Sequence, residues 1–263
     1  MAKSYEELEF TDNFMFVKIM STRLDLCAEV LELILQKKIK HLKPVTYENT
    51  FQPTYESKGI RLDVYVEDEE HSRYDVEMQV EPDANLAKRS RYYHSAMDME
   101  MLLKGSDYSE LKPSYVIFIC KNNIPFDRPV STFKRICVED PAKQLEDGTC
   151  TVLVNAECDT GDISSEMREF IGFVKTGESR GPADSLTGRL KAAVAAAISS
   201  GKWSVEYMRW EDELKHREFL IRQEEQKKTE AERERAEAER QRADTFAKEI
   251  AELKKEIEAL RQK

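Results

Sequence analysis

RLDVYVEDEEHSRYDVEMQV, residues 61–80, is the stretch whose reading decides the fold. Leu62, Val64 and Val66 alternate with Asp63 and Tyr65. After a polar connection, Val76, Met78 and Val80 alternate with Asp75, Glu77 and Gln79. Successive strand side chains point to opposite faces, so the pattern predicts two strands, each with one apolar face and one acidic face. The all-polar segment 67–73 suits a surface hairpin loop. Antiparallel pairing across that loop brings Asp63 towards Glu77 and Gln79 on one face. Carboxylates gathered in a half-buried place repel each other unless a cation lies between them. A solvent-facing hairpin alternates in the same way, so spacing alone leaves open both a metal site and a plain solvated hairpin.

Composition narrows the choice. The formal net charge of −10 argues against a protein that grips nucleic acid by its overall field. Residues 211–263 hold 14 Lys+Arg against 16 Asp+Glu, a net of −2, which leaves −8 on the body. Contact with nucleic acid would need a local basic patch or a metal ion. The five cysteines (Cys27, Cys120, Cys137, Cys150, Cys158) include no C-x-x-C pair, so they read as reduced, mostly packed thiols and not as a zinc site. No apolar run is long enough to cross a bilayer, and the acidic opening lacks signal-peptide character. The expectation is a cytoplasmic protein with no membrane contact.

Outward from the hairpin, the order of elements is helix, helix, strands, helix, strands. FTDNF (10–14) opens a first helix with Thr11 or Asp12 as N-cap. Residues 25–37 give a second, with a wide apolar stripe. Its basic end, Lys37, Lys38, Lys40 and Lys43, suits a helix C-terminus. Pro44 ends the helical region, and Val45–Phe51 reads as a strand. Residues 85–104 form a helix with Leu86, Tyr93, Met97 and Met101 inward, stopped by Gly105. SYVIFIC (114–120) is continuously apolar, as a strand covered on both faces should be. Strands near 132–138 and 149–154 and a helix at 164–174 follow. His94 reads as a packed or surface histidine. The whole is an α/β sandwich with a mixed central sheet flanked by helices.

Residues 176–188, rich in Gly, Ser and Asp, read as a boundary. The expected organisation is a domain over residues 1–180, a helical extension over 184–240 and a short coiled coil over 241–263. In the last, Ala243, Phe246, Ile250, Leu253, Ile257 and Leu260 recur at heptad spacing. That seam suits a homodimer or another coiled-coil partner; a single solvated helix is the alternative.

The combination of FTDNFMF, RLDVYVED, YDVEMQ and RSRYYHSAM, spread over roughly residues 9–140, resembles the recombination-promoting nuclease/transposase family of the PD-(D/E)XK nuclease superfamily. The resemblance implies a restriction-endonuclease-like core, Mg²⁺ as cofactor and DNA as substrate. It assigns Asp63 to the acid of the first motif strand and Glu77 to that of the second. Gln79 takes the place of the lysine, and Asp12 that of a further acid near the first helix. Lys18 falls one position away from the family's aromatic-Lys pair.

Phosphodiester hydrolysis needs an activated water and compensation for charge developing on phosphate oxygens, and Mg²⁺ held by carboxylates supplies both. Asp63, Glu77 and the backbone carbonyl of Met78 would hold the ion, and Gln79 would orient the water. Arg89, Arg91 and Tyr92 on the following helix would grip phosphate. The sequence thus points to a Mg²⁺-dependent DNA endonuclease, possibilities in recombination or mobile-element biology being implied by the resemblance alone. The alternative is a non-catalytic, nuclease-like binding module acting through its tail.

Overall fold

The computed structural model describes residues 3–45, 60–122 and 124–261. Two compact units divide the chain, residues 1–204 and 205–263. The boundary segment expected around 176–188 therefore lies inside the first unit.

The first unit is built on a six-stranded sheet in the order β1-β2-β3-β4-β6-β5. β1 (Lys43–Pro44), β2 (Val64–Glu67) and β3 (Arg73–Gln79) pair antiparallel. β4 (Ser114–Cys120) runs parallel to β3, and β6 (Thr149–Asn155) parallel to β4. β5 (Val130–Phe133) closes the edge antiparallel to β6. The sheet is mixed, as the pattern of elements required. Pro44, expected to end a helical region, instead belongs to the short edge strand β1, where a missing N–H is tolerated. The strand expected over 45–51 lies outside the described residues except for Val45, whose N–H donates to the Tyr65 carbonyl.

Parallel β3–β4 pairing requires a crossover, and α3 (Leu86–Met101) provides it. The register places Asp75 beside Val116 and Glu77 beside Phe118, on the same face. α3 covers that face: Leu86, Tyr93, Ala96 and Met97 pack with Val116, Phe118, Cys120 and Leu153. The helix therefore lies directly against the acid-bearing side of the hairpin.

Tyr74, Val76 and Met78 face the other way. There Lys37, at the end of α2 (Leu24–Leu35), sits 5.0 and 4.5 Å from the ring centres of Tyr74 and Tyr115. α1 (Asn13–Thr22) packs on α2 and β2, and α4 (Ser165–Thr176) and α5 (Leu186–Ser200) pack on α2 and each other. Phe10 joins α1 to α4, with ring centres 5.4 Å from both Phe16 and Phe173. Ser164 caps α4 by accepting from the Met167 N–H, and Ser185 caps α5 through the Gly188 N–H. α5 stops at Gly201, whose φ of 61° suits a residue without Cβ. α6 (Ser204–Arg261) is one continuous 58-residue helix. No helix among the described residues is long and apolar enough to cross a membrane.

His94 is packed, as expected. It is buried between α3 and the sheet, with Nδ1 2.8 Å from Ser114 Oγ and Nε2 3.1 Å from Thr151 Oγ1. Burial pushes its pKa down to about 4, with Arg135 adding to the depression. An unfolded histidine takes its proton near 6.5, so between about 6.5 and 4 the unfolded state binds more protons and stability falls as pH falls. The expected loss is about 3 kcal/mol. Urea unfolding of the wild type and His94→Gln across that range should show the steeper decline in the wild type.

Candidate active site

The two ends of the β2–β3 hairpin treat their acids in opposite ways. At the loop end, the buried Glu67 carboxylate is surrounded by Lys43, His71 and Arg73, each 2.7 Å away. Burial opposes its ionisation, but these partners outweigh it and hold the pKa below the usual carboxylate range. That end is satisfied by the chain itself.

The open end is not. Register carries one step past Val64↔Val76 to set Asp63 opposite Glu77, and the Asp63 N–H donates to Glu77 Oε1 at 3.1 Å. The Asp63 carboxylate reaches back across the pair and accepts from the Met78 N–H at 3.4 Å. It also accepts from Asn13 Nδ2, at the start of α1, at 2.9 Å. Asp75 shares the Glu77 face, is wholly buried, and has no hydrogen-bond partner for either carboxyl oxygen. Three acids thus converge where the sheet meets α3. Burial, then the charge of Asp63, pushes the Glu77 pKa up to about 8. Burial and the negative charges of Glu77 and Asp63 raise Asp75 well above the usual carboxylate range. Burial raises Asp63 against the pull of Asn13, the Met78 N–H, Arg89 and Arg61.

One guanidinium answers them. Arg89 donates to Glu77 Oε2 at 2.9 Å, to Gln79 Oε1 at 2.7 Å and to Asp83 Oδ2 at 2.9 Å. It lies 5.0 Å from the Phe118 ring centre and 5.5 Å from that of Tyr93, whose hydroxyl accepts from it as well. The plane is thereby fixed along the acids. Gln79 uses its amide N–H₂ on the Glu81 carbonyl, so both ends of that side chain are held.

Of the residues singled out from sequence, the structure brings Asp63, Glu77, Gln79 and Arg89 together. Arg91 and Tyr92, two and three positions along α3, are exposed. Asp12 is the N-cap residue of α1, but its carboxylate accepts from Lys3 Nζ at 2.8 Å and the Glu9 N–H at 2.7 Å. Its neighbour Asn13 makes the contact with Asp63. Lys18 lies over the Phe14 ring at 5.6 Å. Sequence reasoning missed Asn13 and gave Asp75 no part in the ion site. Asn13 sits within the quoted FTDNF motif, one step from the acid chosen. Asp75 carries the same period-two signal as Glu77.

The donor chemistry fits a hard divalent cation. In a strand, a residue's N–H and C=O point to the same edge and alternate along the chain. The Gln79 carbonyl accepts from Lys121 on the β4 side. The Met78 N–H, and with it the Met78 carbonyl, therefore face the Asp63 side. Two carboxylates and a carbonyl form a half-open oxygen set of the kind Mg²⁺ accepts while keeping waters. Among the described residues, no group of three or more His, Cys, Asp or Glu side chains is arranged to close around an ion. A fully protein-made cage is therefore not what this site offers.

The family model of the PD-(D/E)XK nuclease family transposase matches residues 11–148, just over half of the chain. The chain belongs to that family. No curated protein and no solved structure gives a match. The matched span runs from the N-cap of α1 through the hairpin, α3, β4 and β5 to the start of β6, so it contains every residue of the acid cluster. The mixed six-stranded sheet with flanking helices is consistent with a restriction-endonuclease-like α/β fold.

The under-compensated charge has a measurable consequence. Asp75→Asn removes an unpartnered buried carboxyl and should stabilise the metal-free protein at pH 8 by about 1–3 kcal/mol. Arg89→Ala leaves Glu77 and Asp83 without their cation and should destabilise it by about 3 kcal/mol or more. Urea unfolding in EDTA reads both.

Proposed function

We propose that this chain is a Mg²⁺-dependent DNA endonuclease hydrolysing phosphodiester bonds, with a place in recombination or transposon-related DNA processing. The observation that carries the reading is the crowding of Asp63, Asp75 and Glu77 at the open end of the hairpin, with Arg89 hydrogen-bonded to Glu77 alone among them. Such an arrangement costs stability in the empty protein, and a divalent cation among the acids removes that cost. Family membership supplies the substrate class, and DNA is the partner it implies.

In this proposal Asp63, Glu77 and the Met78 carbonyl hold the ion. When bound, Mg²⁺ supplies an acidified water and charge compensation at the phosphate. Asn13 orients the Asp63 carboxylate through its amide, and the Asp63 N–H orients Glu77 in return. Gln79 stands where the motif has lysine; being uncharged, it acts by hydrogen bonding alone. Arg89 aligns Glu77 and Gln79 in the resting state and is a cation placed to move onto a phosphate as the acids take up metal. Arg91 and Tyr92, exposed on α3, are proposed as outer phosphate contacts, and Asp12 as an accessory acid. The long helix α6, with Phe246 and Ile250 exposed, is proposed to pair as a coiled coil with a second copy or a partner. A cytoplasmic location accompanies this reading.

One observation favours a second reading, that of a binding module without catalysis: Arg89 already neutralises Glu77 and takes the acceptor of Gln79. Supercoiled plasmid separates the two. Nicking that requires Mg²⁺ and falls at least about a hundredfold in Asp63→Ala is the outcome expected of a metal-activated water. Metal-independent nicking, or equal nicking by Asp63→Ala, removes the proposal. Retarded plasmid without nicking selects the binding module.

A further inference from the structure

The acid cluster makes no use of the basic run at the end of α2. Three of its lysines meet carboxylates: Lys38 bonds Glu32 at 3.0 Å, Lys40 bonds Glu69 at 3.7 Å, and Lys43 bonds Glu67 at 2.7 Å. Lys37 differs. Its ammonium lies over the Tyr74–Tyr115 stack, whose ring centres are 4.8 Å apart, and donates to the Tyr115 hydroxyl at 3.3 Å. Among the described residues it has no carboxylate partner.

Beside Lys37 opens a cleft of about 900 Å³, on the sheet face opposite α3 and at the end where β4 and β6 begin. Glu77 is on the α3 face and pairs with Phe118, near the other end of β4, so the cleft is separate from the acid cluster. The row of Tyr74 and Tyr115 continues across the sheet to Cys150. Thr132 of β5 pairs with Val152 and so shares this face, and two residues on Lys134 borders the cleft as well. Lys134 also has no carboxylate partner among the described residues. Burial raises the pKa of the Cys150 thiol, and the nearby charges of Lys134 and Lys37 oppose the rise.

Two uncompensated cations at one cleft stand out in a chain of net charge −10. The acids that border the cleft do not answer them. Asp147 is bonded to Arg135 at 2.8 Å, and Glu146 and Asp162 are exposed on loops. Apolar wall comes from Leu33 and Ile34 of α2 and from Ile163 and Met167 at the start of α4. Small-molecule sites have volumes of roughly 300–1,000 Å³ and combine such walls with a few placed polar groups.

We propose that this cleft binds a small organic anion, its phosphate or carboxylate held between Lys37 and Lys134 and its apolar body against Ile163 and Met167. Ammonium groups serve such anions as point charges, and the two rings beneath Lys37 fix its position in advance. The Thr132 hydroxyl, on the same face, adds a neutral donor. None of this depends on the nuclease reading.

Full-length protein with isotope-labelled isoleucine and methionine methyl groups reports on the cleft by NMR through Ile163 and Met167. Phenyl phosphate and benzoate serve as anionic probes, and benzyl alcohol as the neutral one. At least one anion should shift both methyl signals saturably and bind about tenfold or more tightly than the alcohol. Whichever anion binds more tightly identifies the group the site takes. Lys134→Gln should weaken that anion about tenfold. Lys38→Gln removes an equal charge one residue from Lys37 and should leave the affinity unchanged. Lys37→Gln should match Lys134→Gln, and Lys37→Arg, which keeps a cation over the rings, should retain binding. Lys134 is exposed, so its variant tests the site even if Lys37→Gln disturbs the packing beneath it. No shift at about 10 mM of either anion, or alcohol binding as tight as theirs, overturns the proposal. So does an unchanged affinity in Lys134→Gln, or an equal loss in Lys38→Gln.

Discussion

Everything at the acid cluster follows from one constraint: the register of a short antiparallel hairpin. Pairing Val64 with Val76 forces Asp63 opposite Glu77 and leaves Asp75 on the same face two residues back. β3 is also hydrogen-bonded to β4 on its other side, so the strand cannot slip to separate the charges. A slip of one residue would turn Val76 and Met78 to the acid face and lose the apolar contact opposite. Burial of the hydrophobic faces thus fixes the carboxylates in a conflict that they would not adopt alone.

The remaining elements divide the work around that conflict. α3 follows β3 directly, as a parallel crossover must, and brings Arg89 over Glu77 and Gln79 while Tyr93 and Phe118 hold its plane. α1 supplies Asn13 from the opposite side. At the far end of the same hairpin, Glu67 shows what a structural buried acid looks like: Lys43 and Arg73 as cationic partners, the His71 ring beside them, and a lowered pKa. The contrast between the two ends, four residues of strand apart, is what separates a site from a salt-bridged core.

Much of this was legible in the chain. The period-two alternation in 61–80 located both strands and their acids, and the continuous apolar run 114–120 located a central strand, because each pattern follows directly from burial on one face or two. The helix read over 164–174 is α4, which Ser164 caps. What the sequence concealed depended on distant contacts. Whether Asp12 or its neighbour Asn13 meets Asp63 depends on the rotation of α1 against β2, which packing sets. Arg89, Arg91 and Tyr92 are equivalent in composition, and only the docking of α3 turns the first inward. Cys137 is exposed, in the segment that leaves β5 at the sheet edge, an order that strand patterns alone do not reveal. The heptad seam in the tail falls within the continuous helix α6.

The central claim is that the acids form an ion site and not merely a strained corner. Manganese takes the same oxygen ligands as magnesium and scatters anomalously, so a crystal of the protein grown with Mn²⁺ tests it directly. The account predicts an anomalous peak between Asp63 and Glu77, about 2.1 Å from their carboxyl oxygens and from the Met78 carbonyl. Arg89 still clamped on Glu77 with no peak beside it would contradict the account.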